Sequence, residues 1–132
     1  MSWVEITVVF FVSHEVGDYL LQTDWQATHK RGGLSRDRLA RRALISHAVS
    51  YTAAFIPAFV WLAGSLGAWT LAIAALIGLP HLIQDDRRLL DAYIRAVKHA
   101  EPGRLQHVEA FVDQAFHIAS LFLVALLAHT LS

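Results

Sequence analysis

The chain contains no cysteine, so a disulfide, a thiolate metal site, an iron–sulfur cluster and a cysteine nucleophile are all excluded. Any metal would have to be held by His, Asp, Glu or backbone oxygen. Neither sign of charge is in surplus: 11 Lys and Arg offset 11 Asp and Glu. A nucleic-acid partner is therefore not expected, because such proteins carry a basic excess. Internal repeats and low-complexity tracts are missing too. The first residues, Met1-Ser2-Trp3-Val4-Glu5, lack the basic start of a secretory signal, and His14 and Asp18 interrupt the apolar run behind them. A retained helix is expected there. The length is that of one domain, residues 1–132.

Basic residues are missing from most of the chain. Every lysine and arginine lies between Lys30 and Arg42 or between Arg87 and Arg104. The rest is apolar segments of about the ~20 residues that cross a ~30 Å hydrocarbon core, over residues 3–22, 43–63, 67–84 and 110–131. Such segregation follows the positive-inside rule. The fold expected is all-α: a polytopic membrane protein with a four-transmembrane-helix bundle, both termini outside and basic segments 23–42 and 85–109 in the cytoplasm. A soluble four-helix bundle is the alternative, but soluble helices carry a polar face, and 43–63 and 67–79 have none. Gly64-Ser65-Leu66-Gly67 reads as a tight outer hairpin.

Both basic segments read as ordered. Ser35 is placed to cap a helix carrying Arg38, Arg41 and Arg42 into the second span. In the other segment Leu89, Leu90, Tyr93, Ile94 and Val97 share a helical face. That pattern predicts a short amphipathic helix in the headgroup layer, ending near Pro102-Gly103. A solvated helix packed on the bundle is the plainer alternative.

Inside the apolar segments the ionisable residues recur at one spacing. His14 and Asp18, His81 and Asp85, and Asp113 and His117 are i,i+4 pairs, and His47 is followed four residues later by Tyr51. Residues at this spacing share a helix face. Spans one and three carry their sets near their ends, and spans two and four near their starts. All four therefore lie towards the basic side. An Asp in lipid costs ~2.5–3.5 kcal/mol at a helix centre, and converging carboxylates and imidazoles repel or desolvate one another. A divalent cation resolves the conflict, since it binds carboxylates and neutral imidazoles. His14, Asp18, His47, His81, Asp85, Asp113 and His117 are the candidate ligands, for one or two ions of Zn, Mn or Fe. Gln22, Tyr51 and Gln114 are candidate supports around them. A hydrogen-bonded polar network without metal is the alternative. His129, near the outer end, reads as a packing residue, and His29, His99 and His107 as solvated loop histidines.

The order H-x3-D-x3-Q-x-D-W, a lysine, a lone His, H-x3-D and D-Q-x2-H resembles the bacterial membrane family called domain of unknown function 3307. Its elements here are His14, Asp18, Gln22, Asp24, Trp25 and Lys30; His47; His81 and Asp85; and Asp113, Gln114 and His117. One departure is Asp86-Arg87-Arg88, where a lysine close behind the aspartate is expected. The resemblance implies a small protein of the bacterial inner membrane whose motif residues form one unit. It implies no activity.

The chemistry expected of such a unit is metal-dependent hydrolysis of a lipid-like or phosphate-bearing amphiphile. Glu15 or a non-ligating Asp would be the base. Lys30, Arg41, Arg42 and Arg87 would hold an anionic headgroup. The alternative is a non-catalytic, metal-stapled or hydrogen-bonded accessory subunit, in a homo- or hetero-oligomer. A haem-binding redox subunit fits less well, because three of the four histidines have an Asp one turn away.

Overall fold

The computed structural model describes residues 1–132 and contains helices but no strand. Helix α1 (Trp3–Glu15) opens on a capping box between Ser2 and Glu5 and runs into a π-helical turn, Val16–Leu20. Then follow α2 (Asp24–His29), α3 (Arg38–Ala54), α4 (Ile56–Leu66), α5 (Trp69–Asp85), α6 (Arg88–Val97) and α7 (Gln106–Leu131). α7 packs against α1 and α5, and α5 packs against α3.

By length and apolarity one helix, α7, can cross a membrane, and α3 and α4 qualify together as a bent pair. At ~1.5 Å per residue, the 26 residues of α7 reach ~39 Å. The second apolar segment, expected to be one rod over 43–63, is instead broken at Phe55 by 56°. Pro57 supplies the reason: it cannot donate to the carbonyl of Ala53, and its ring clashes there. The chain turns two residues earlier, where the Phe55 amide bonds Thr52 at i−3. Pro80, by contrast, is carried inside α5.

Local details also differ from the sequence expectation. α4 runs through Gly64 and Ser65 to Leu66, and the turn is Gly67, at φ 54°. Asp37, not Ser35, caps α3: its carboxylate accepts from the Leu39 and Ala40 amides. An anionic acceptor is the stronger cap for two amides, and Ser35 instead accepts from the Asp37 amide. α6 stops at Val97, short of Pro102, with His99 left-handed behind it. Its apolar face is divided: Leu90 and Ile94 are buried, whereas Leu89 and Val97 point outward.

The interior has two parts. Ile6, Phe10, Phe55, Leu62, Ile73, Ile77, Leu121 and Ala125 belong to an apolar core that ends at Tyr51. Beyond Tyr51 the buried residues include His14, Asp18, His47, His81, Asp85 and His117. His129 donates from Nδ1 to the Met1 carbonyl at 2.7 Å, so both chain ends meet.

Candidate metal centre

Asp18, His47, His81 and Asp85 come from three elements and offer donor atoms within 4.8 Å of one another. His47 Nε2 is 3.2 Å from Asp18 Oδ1, 3.0 Å from Asp85 Oδ2 and 3.1 Å from His81 Nε2. His81 Nε2 is 3.5 Å from Asp18 Oδ1 and 3.2 Å from Asp85 Oδ2. A tetrahedral ion bound at ~2.0–2.1 Å holds its ligands about 3.3–3.4 Å apart. Five of the six edges defined by these atoms fall close to that value. These buried His and Asp groups are near enough to hold a metal ion.

Each donor is set by local structure. The π turn, marked by the Leu21 amide bonding Val16 five residues back at 2.9 Å, is wider than an α turn. Asp18 and His14 consequently face different neighbours. Asp18 turns to His47, while His14 Nε2 donates to Gln114 Oε1 at 2.8 Å and its Nδ1 accepts from the Tyr51 hydroxyl at 3.1 Å. With both ring nitrogens committed, His14 borders the cluster and has no free lone pair to add. Gly17 allows the π turn to approach α3: a Cβ there would lie 2.7 Å from Tyr51 Cδ2.

Asp85 has a second side. Its Oδ1 is 3.2 Å from His117 Nε2, and Asp85, Asp113 and His117 form a further group of donors within 4.8 Å. His117 Nδ1 donates to the Asp113 carbonyl at 2.8 Å. Metal-bound histidines usually show this kind of support. His47 and His81 lack it, since their Nδ1 atoms are buried without partners. Tyr51 holds the His81 ring instead, stacked at 3.4 Å.

The family model described as protein of unknown function (DUF3307) matches residues 6–132. The chain belongs to that family. No curated protein and no solved structure matches it. The family match covers every motif from His14 to His117, and the structure brings those motifs together at one end of the bundle.

Lys30 is brought to Asp85 by the segment that follows the π turn. A capping box of Thr23 and Gln26 starts α2, and Gln26 bonds Ser46 of α3. Lys30 follows as the C-cap and donates to both Asp85 Oδ2 and Gln22 Oε1 at 2.6 Å. Its loop is tied down by Asp86, which accepts from the Leu34 amide at 2.7 Å and pairs with Arg88. That hydrogen-bonded carboxylate holds the Arg88 pKa above its ordinary value.

The remaining candidates lie outside this cluster. Glu15, at the end of α1, is half-buried and belongs to neither donor group. Arg41 donates to the Ser35 carbonyl at 2.6 Å, and Arg42 is exposed. Arg87, at φ 71°, is committed to Glu109 at 3.2 Å. The sequence reading gave no role to Asp86 or Glu109, both buried. Glu109 accepts from the Gly103 and Leu105 amides. Its signal was an acid in the first turn of α7, where the helix dipole favours one.

Proposed function

We propose that this protein is a four-span inner-membrane metalloprotein, with Asp18, His47, His81 and Asp85 binding a Zn, Mn or Fe ion, and that the centre hydrolyses a phosphate-bearing, lipid-like amphiphile. The observation that carries the reading is the meeting of these four donors, with five of their six separations between 3.0 and 3.5 Å. Two imidazoles and two carboxylates gathered this closely suit a cation, and mixed His/Asp donors suit a transition ion.

A membrane location is supported by the reversed distribution of polarity. Histidines and aspartates fill one end of the interior, while Val8, Val12, Val49, Val60, Leu71, Leu79, Phe111 and Leu123 are each more than half exposed. Apolar faces of this kind match a lipid neighbour better than water. Only 22% of the apolar window of α7 is buried, unlike the enclosed helix of a soluble core. Hydrolysis is supported by the position of the centre beside the basic segments. An ion there would lower the pKa of a bound water and polarise a phosphoryl oxygen, and Arg41 and Arg42 are exposed to meet an anionic headgroup.

One observation favours a second reading. The four donors are all buried, and four protein ligands complete a tetrahedral structural site. On that reading the ion staples the π turn, α3 and α5 together within an accessory subunit.

The test is metal analysis of detergent-purified protein made without chelator, followed by turnover of a phosphate-bearing amphiphile in mixed micelles. The reading expects at least one tightly held transition ion per chain, lost in His47→Ala and retained in His129→Ala. Ion without turnover leaves the staple; absence of any ion overturns the metal centre, and a haem absorption band would restore the redox reading.

A further inference from the structure

We propose that Asp85, Asp113 and His117 hold a second cation, joined to the first through the two oxygens of Asp85, and that this second ion carries the open coordination position. The inference rests on the metal-centre reading above and deepens it.

The tautomer of His117 is the starting point. Its Nδ1 proton is given to the Asp113 carbonyl at 2.8 Å, so in the neutral ring Nε2 bears only a lone pair. That atom is buried without a hydrogen-bond partner, in a residue 1% exposed. It stands 3.2 Å from Asp85 Oδ1, so a lone pair faces a carboxylate oxygen, which is repulsive. A cation between them turns the repulsion into coordination. The spacing matches adjacent ligands on an ion bound at ~2.0–2.2 Å.

Asp85 can serve both positions because its oxygens diverge. Oδ2 faces His47 and His81 at 3.0 and 3.2 Å, and Oδ1 faces His117. A carboxylate bridge of this kind is how ions ~3.5–4 Å apart are clamped in two-metal hydrolytic sites.

The two positions differ in what they leave free. The first has four buried protein donors. The second has three, and one of them, Asp113, has a side chain 21% exposed. Asp113 also lines a cavity of about 110 Å³ with Gln84, Leu89, Leu90 and Phe116. A water occupies ~30 Å³ of liquid, so the cavity can bring solvent to Asp113, the exposed edge of this donor group. Three protein donors with room for water is the arrangement of a catalytic ion, and four donors that of a structural one.

The test is Mn2+ titration of metal-stripped full-length protein in detergent, with bound metal counted by equilibrium dialysis and the spins read by electron paramagnetic resonance. Wild type should bind two ions per chain and show an exchange-coupled signal. Asp113→Asn and His117→Gln should bind the second ion at least about 10-fold more weakly, keep the first, and show the uncoupled six-line spectrum. Asp85→Asn should lose the coupling and weaken both. Asp113→Asn is isosteric at a partly exposed position, so it keeps the test intact if His117→Gln does not fold. A single ion in wild type, or two coupled ions in Asp113→Asn, overturns the second site alone. No bound ion in wild type overturns the metal centre itself.

Discussion

Tyr51 lies flat against His81, with ring centroids 3.4 Å apart and planes 2° from parallel. The same side chain closes the apolar core on one side and bonds His14 on the other. His81 therefore gets its orientation from packing, in the absence of a hydrogen bond at Nδ1.

Two substitutions separate these roles. Tyr51→Phe keeps the stack and loses only the bond to His14, a change of about 1 kcal/mol, and should retain the metal. Tyr51→Ala opens the core and frees His81. It should cost about 3–5 kcal/mol and lose the ion. Thermal unfolding and metal content, measured on the same samples, check both. A metal-replete Tyr51→Ala would show that His81 needs no such support.

Gly17 marks where the π turn meets α3. An added Cβ would stand 2.7 Å from Tyr51 Cδ2 and 3.3 Å from Tyr51 Cα, and Tyr51 is held by its stack on His81. Gly17→Ala should therefore move the π turn and carry Asp18 away from His47, at about 1–3 kcal/mol for overpacking. Metal affinity should fall at least about 10-fold, as read by competition with a chromophoric chelator. Unchanged affinity would mean that the turn yields without moving Asp18.

Lys30 shares Asp85 Oδ2 with the candidate ion. Its ammonium repels a metal cation, and two unit charges 4 Å apart interact by ~4 kcal/mol at an effective dielectric of ~20. Lys30→Gln should tighten metal binding at least about tenfold, equivalent to ~1.4 kcal/mol. It should also lower the melting temperature of the metal-free protein, which loses the partner of a buried carboxylate. If Lys30 holds an anionic substrate, turnover falls while metal affinity rises. Weaker metal binding in this variant would contradict the placement.

Metal removal should destabilise the folded protein by mass action. At a free ion concentration ~100 times Kd the bound state gains ~2.7 kcal/mol. Chelator should therefore lower Tm, and added metal should restore it in a concentration-dependent way. Asp18→Asn and His47→Ala should show a smaller Tm response to the ion than wild type. A wild-type Tm indifferent to both chelator and metal would count against any ion in this cluster.

Helical class, the family and the gathering of polar residues at one end of the bundle were legible in the chain. Spacing of i,i+4 states that His14 and Asp18, or His81 and Asp85, lie near one helix face, because the helical period is a local property. The lengths of the apolar segments likewise state where helices can run. The second segment, by contrast, reads as one rod over 43–63 despite Pro57, and its 56° bend is a product of the packing around Phe55.

Which donors come close enough to share an ion was decided only in three dimensions. Spacing leaves the rotation of each helix about its axis undetermined, and coordination is settled over a few tenths of an ångström. The π turn directs Asp18 to His47 and leaves His14 to Tyr51 and Gln114. Lys30 reaches Asp85 across 55 residues of sequence because α2 docks on α3 and Asp86 ties down the intervening loop. Local periodicity named the chemistry available to this protein; long-range packing chose which of those groups meet.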